Sequence, residues 1–291
     1  MDLPTTRIRL DIAYDGGAFN GWARQPALRT VQGELEQRLA TIFHRHPPAP
    51  TLTVAGRTDA GVHALGQVAH LDLTEEQLSS LTRRGPSATA GATALATRLN
   101  GIAGLHSDVV ITASAIAPPG FDARFSALSR SYRYRVAAAA APRNPLERGF
   151  TLWYPRTLDG ELMDTAARSL TGLHDWAAYC KARDGATTIR TLQQFSWARQ
   201  GDGVLVADVT ADAFCHGMVR ALVGACLAVG EGKLDGRDLV ALRTEATRTS
   251  AFKVAPARGL TLTEVRYPDA AQLHIRALQT RARREPIGSA E

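Results

Sequence analysis

Residues 7 to 15, RIRLDIAYD, alternate without a break: Ile8, Leu10, Ile12 and Tyr14 share one face, while Arg7, Arg9, Asp11 and Ala13 share the other. A period of two with one apolar face is the pattern of a half-buried strand. Such a strand needs a second layer to cover it, and the next periodic segment supplies one. Thr30 is suited to an N-cap, and behind it Val31, Leu35, Leu39, Ile42 and Phe43 recur at helical spacing.

The same alternation of elements continues along the chain and predicts an α+β protein. Strands are expected at 51 to 55, 67 to 73 (QVAHLDL), 108 to 117 and 131 to 137 (SYRYRVA). Thr74 and Gln77 have the spacing of a capping box and open a helix, and ATALATRLN has helical character. The run AAAAAPRNP, 137 to 145, is a change of segment, because Pro142 and Pro145 break any ladder. Beyond it come a helix near 158 to 171, a hairpin turning at Gly201-Asp202-Gly203, the apolar helix GMVRALVGACLAVG, a polar helix near 236 to 246 and the strand LTLTEVRY. Both halves therefore suggest mixed or antiparallel sheets of the split β-α-β, ferredoxin-like kind. Domains are expected over 1–141 and 142–268, with 269–291 a flexible basic tail carrying Arg276, Arg281, Arg283 and Arg284.

Composition narrows the class. At 291 residues, 45% hydrophobic and 21% charged, the chain can bury a substantial core. No stretch is long and apolar enough for a membrane span and the N-terminus has no secretory pattern, so a cytoplasmic protein is expected. Cys180, Cys215 and Cys226 are scattered and odd in number, which suits buried thiols rather than a disulfide framework or a zinc knuckle. His44 and His46 lie beside PPAP, the setting of a solvated loop, and no metal is expected. The net charge of +6 favours polyanionic partners.

One stretch carries chemistry where a strand end needs none. In VAGRTDAGVHA, 54 to 64, Gly56 and Gly61 bracket Arg57, Thr58 and Asp59. Glycines permit positive φ and close approach, Asp59 offers an anionic oxygen, and Arg57 adds a neighbouring positive charge. The spacing is not that of a phosphate loop, and a single aspartate lacks the partner carboxylate of an ordinary glycosidase. From these residues alone the loop is either a turn held by an Arg–Asp contact or a site.

Four segments in order decide between the two. AGRTDAGVHA, YDGGAFNGWARQP with TVQGELE, FDARFSALSRSYRYRV and AFCHGMVRALVG together resemble the tRNA pseudouridine synthase A family, and the likeness runs from about residue 7 to 268. The resemblance implies a pseudouridine synthase fold of two sheet domains with a basic cleft between them. It implies an isomerase that converts uridine to pseudouridine in the anticodon stem-loop of tRNA, works as a homodimer and needs no cofactor. Asp59 matches the family's catalytic aspartate, which attacks C1′ of the ribose or stabilises its developing positive charge. Arg57 matches the residue that enters the space vacated when the target nucleotide flips out. Tyr132 matches the active-site tyrosine that stacks on the flipped base and assists proton removal, whereas Tyr134 is expected in the core. Arg220, a cation on an apolar helix, matches the basic partner of the aspartate. Arg24, Arg124, Lys181 and Arg183 are candidates for contacts to phosphate or base.

The chain departs from the family's pattern at Gly217 and Ala221, where a histidine and an asparagine are common, which touches the surroundings of Arg220. The rival is a non-catalytic RNA-binding protein, which would have no need of a carboxylate facing phosphates.

Overall fold

The computed structural model describes residues 4–82, 87–181, 187–247 and 249–281. The described residues form two compact units, the first within 4–128 and 264–281, the second within 129–263.

The first unit opens with β1 (Thr5–Tyr14), α1 (Val31–Ile42), β2 (Thr53–Val54), β3 (His63–Thr74), α2 (Glu75–Ser80), α3 (Ala88–Ala103) and β4 (Val109–Ile116). β1 lies between β3 and β4 and pairs antiparallel with both, and β2 joins the far side of β3. The spatial order 4-1-3-2 is a split β-α-β arrangement, since β1 and β2 run parallel with β3 between them. Burial alternates along β1 as the sequence predicts, with Ile8, Leu10 and Ile12 inaccessible to solvent, as are Leu35 and Leu39 of α1. The Thr30 side chain accepts a hydrogen bond from Gly33 N–H at 3.2 Å, and Thr74 and Gln77 form the reciprocal capping box that starts α2. The second strand is shorter than expected: only Thr53 and Val54 pair in register with β3, followed by a bond from Ala55 N–H to Val68 O. The chain leaves the sheet there to make the glycine-bracketed loop.

The second unit holds β5 (Ser129–Ala137), β6 (Leu152–Trp153), α4 (Gly160–Ser169), β7 (Gly172–Asp175), β8 (Ile189–Arg199), β9 (Leu205–Ala211), α5 (Met218–Gly230), α6 (Gly236–Glu245) and the start of β10 (Leu260–Arg266). Its strands follow the order β10-β5-β9-β8-β7. The β8–β9 hairpin is antiparallel, β5 adds antiparallel to β9, and β6 adds parallel to β5. α4 packs on β8 and on α5 and α6. α5 is buried along nearly its whole length, as its apolar sequence requires, and Gly224 is its closest approach to the chain beside it: a β-carbon there would lie 2.0 Å from Lys253 O. Among the described residues no helix is long and apolar enough to cross a membrane.

The division between the units falls at Leu128/Ser129, ahead of the alanine run, so SYRYRVA belongs to the second unit. Its pairing with β9 and β6 places β5 with the second unit. Of the expected flexible tail, Arg283 and Arg284 lie outside the described residues, while the part before them, up to Arg281, is structured. It forms α7 (Leu273–Arg281), which seals part of the first unit. Leu273 and Ala277, four apart, are buried, and the arginines occupy the remaining faces. Ser126 Oγ donates to Leu273 O at 3.1 Å, and Arg281 bonds Asp122 at 3.2 Å. Gly120, at φ +77°, meets His274 so closely that a β-carbon would lie 2.7 Å from that of the histidine.

Candidate active site

The loop from Gly56 to Val62 is built by the segment that precedes it in the chain. Trp22 N–H donates to Thr58 O at 3.0 Å, and Gly61 N–H donates to Phe19 O at 3.2 Å. Gly21, at φ +91°, sits so close that a β-carbon would be 2.9 Å from Thr58 O. A β-carbon on Gly16 would lie 2.0 Å from Val62 O. YDGGAFNGW is therefore the bed on which the loop lies, and Gly16 and Gly21 are needed because backbone meets backbone there. Asp15 caps the short turn at Gly16–Ala18, and its carboxylate stands 3.0 Å from His63 Nδ1 at the start of β3.

Within this loop the three polar residues divide by exposure. Thr58 is buried, Asp59 is half-buried and Arg57 is exposed. Val62 N–H donates to Asp59 O at 3.2 Å, turning the chain back into the sheet. Beneath it Tyr14 Oη lies 2.8 Å from Thr58 Oγ1, and Gln67 Nε2 donates to Gly56 O at 2.9 Å and to Tyr14 Oη at 3.3 Å. Burial pushes the Tyr14 phenol up to about 12, so it stays a hydroxyl donor through the neutral range. The sequence places Tyr14 on the apolar face of β1 and says nothing special of Gln67. The signal available was a lone amide at a buried position of β3.

In the second unit Tyr132 and Tyr134 lie on the same face of β5. Tyr134 is buried and donates to Pro256 O at 2.8 Å, the core role expected of it. Burial raises the Tyr134 phenol, and the charge of Arg220 opposes that rise. Tyr132 is 9% exposed and packs edge-on against Phe214, with centroids 5.2 Å apart. Phe214 begins the stretch FCHGMVR that leads to Arg220. Arg220 Nε donates to Ala255 O at 2.7 Å while Ala255 N–H donates to Arg220 O at 3.0 Å, which locks the side chain and backbone of that residue to one residue of the segment ahead of β10. Gly217, where the family pattern has a side chain, is at φ +75° and precedes α5 with open space around its α-carbon. Lys181 is exposed, and its N–H donates to His216 O at 2.9 Å, so Tyr132, Lys181 and Arg220 all adjoin the same stretch of chain. Buried Arg130, unremarked in the sequence, donates to Asp212 O at 2.7 Å and anchors the start of that stretch.

The remaining candidates are surface residues of the first unit, apart from Arg183, which lies outside the described residues. Arg24 is exposed, two residues beyond Trp22, with Glu36 4.0 Å away. Arg124 is exposed and stacks over Phe125 at 5.1 Å, its N–H held by Asp122. Arginine on an aromatic ring presents a charge with a flat apolar edge, which suits nucleic acid.

A family model described as tRNA pseudouridine synthase matches residues 166–268, most of which lie in the second unit, and this defines the class of protein. Whole-chain relatives are similarly consistent. tRNA pseudouridine synthase A of Leifsonia xyli subsp. xyli is 62% identical, over 96% of this chain and 98% of that one. The proteins of the same name from Frankia casuarinae and Streptomyces griseus subsp. griseus are 53% and 50% identical, over 96% and 94% of this chain and 96% and 93% of theirs. The chain belongs to the tRNA pseudouridine synthase A family.

Proposed function

We propose that this protein isomerises uridine to pseudouridine in the anticodon stem-loop of tRNA. The near-full-length identity to tRNA pseudouridine synthase A carries the reading. The reaction breaks the bond from C1′ to N1, turns the uracil and joins C1′ to C5. The hydrogen of C5 leaves to solvent and N1 gains one. No electrons enter or leave overall, so the chemistry asks for a carboxylate, a place for the flipped base and a proton path.

Asp59 supplies the carboxylate at C1′. A half-buried anion on a loop pinned from below is suited to a developing positive charge, because it does not have to reorganise as the bond breaks. Arg57, exposed beside it, takes the place of the extruded nucleotide. Tyr132 holds the base and accepts or relays the C5 proton, and Arg220 supplies the opposing positive charge. Arg24, Arg124, Lys181 and Arg183 bind phosphates and set the register of the tRNA. The homodimer implied by the family is the working form, which sedimentation equilibrium at assay concentrations tests.

Tritium release from tRNA carrying 5-tritiated uridine is the decisive assay. Release by the wild type, lost in Asp59→Ala while tRNA binding persists, is the expected result. A protein that binds tRNA and releases no tritium would be an RNA-binding protein instead. Carbodiimide mapping of the product locates the modified uridines.

A further inference from the structure

The strand pair β1 and β3 hides a polar chain where their alternation calls for apolar packing. Gln67 has no accessible surface and Tyr14 is 5% exposed. Gln67 Oε1 accepts from Val68 N–H at 3.2 Å, which fixes the amide so that Nε2 faces the loop. Its two hydrogens go to Gly56 O and Tyr14 Oη. The phenol, already accepting from Gln67, shares a further hydrogen bond with Thr58 Oγ1, in which either hydroxyl can be the donor. Gln67, Tyr14 and Thr58 are therefore joined in one buried chain of hydrogen bonds.

This arrangement is costly as a stabilising device. Apolar side chains of like volume would fill the site without desolvating an amide and two hydroxyls. What a fully satisfied buried network adds is a single geometry. Its two outlets, Gly56 O and Thr58 Oγ1, flank Arg57, and Trp22 N–H holds Thr58 O as a third point. Three holds on residues 56 to 58 fix the direction in which the backbone enters Asp59.

We propose that Gln67 and Tyr14 are positioning residues for the isomerisation, setting the place of the Asp59 carboxylate through Thr58 and the Gly56 carbonyl. The proposal rests on the reading of Asp59 as the reacting carboxylate.

Three readouts on the full-length protein test it: single-turnover tritium release, the dissociation constant for tRNA, and the melting temperature. Tyr14→Phe and Thr58→Val are each expected to slow release by about ten- to a hundredfold with tRNA affinity unchanged. Thr58→Ser, which keeps the oxygen, should restore a rate near that of the wild type. The double variant Tyr14→Phe/Thr58→Val should be no slower than Tyr14→Phe alone, because that change already deletes the bond to Thr58. Wild-type release by folded Tyr14→Phe, a rate loss matched by lost tRNA affinity, or losses that multiply in the double variant would each overturn the proposal. Should Tyr14→Phe fail to fold, equal rates for Thr58→Val and Thr58→Ser would overturn it instead. Asp59→Ala is measured beside them: retained release there removes the reading of Asp59 itself, whereas its loss together with a fully active Tyr14→Phe removes only the positioning role.

Discussion

Cys180 and Cys215 share a hydrogen bond, and the sharing splits their acidity. The bond to Cys180 draws the Cys215 thiol down, while the same bond and burial push Cys180 up. Cys226 on α5 is pushed up to about 12, chiefly by burial. Timed alkylation with iodoacetamide followed by peptide mass spectrometry should therefore label Cys215, the one of the three that is not fully buried, first and Cys226 last. His70 provides a second residue-level expectation. Its Nδ1 accepts from Ala123 N–H at 3.0 Å, and burial, reinforced by the charge of Arg7, lowers its pKa. A histidine harder to protonate in the folded state contributes its full stability above the unfolded value of 6.5 and loses it as pH falls. Urea melts should show the wild type losing stability as pH falls below that value, with a shallower loss in His70→Asn.

At the scale of elements, close backbone contact rather than side-chain bulk sets several positions. Gly224 on α5 leaves no room for a methyl group against Lys253 O, and the chain just beyond, at Ala255, holds Arg220. Gly224→Ala should cost about 1–3 kcal/mol in chemical denaturation and lower the turnover of whatever protein remains folded. Thr30→Ala, which removes the N-cap of α1, should cost about 1 kcal/mol with turnover unchanged. The period-two and helical patterns of β1, α1 and α5 were legible in the sequence, because burial of one face is written into every second or every third to fourth residue. Asp59, Arg57 and Tyr132 stood out by motif alone. The bed of Gly16 and Gly21 under the loop was not legible, since nothing local tells a glycine in a turn from a glycine pressed against a distant carbonyl. The Gln67 chain was hidden for a related reason: whether a polar side chain inside a strand is satisfied depends on what faces it. α7 was masked by its arginines, which drew attention from the four-residue spacing of Leu273 and Ala277.

For the whole molecule, a net charge of +6 makes tRNA affinity a function of ionic strength. Filter binding across a salt series should give a falling linear plot of log affinity against log salt, and Arg124→Ala should make it shallower by about one counterion. Asp59→Ala should leave the slope as it is, because a carboxylate releases no cation from the RNA. The first unit is assembled from both ends of the chain: Leu128 N–H donates to Arg266 O, Tyr267 Oη to Ala123 O, and Arg9 lies 5.2 Å over the Tyr267 ring. On the ribosome, a nascent chain of 263 residues has therefore delivered the aspartate loop but not the segment that closes its unit. The earlier part of this unit must wait for the later one, and in the interval the cell's chaperones would meet an unfinished surface around Ala123 and Phe125.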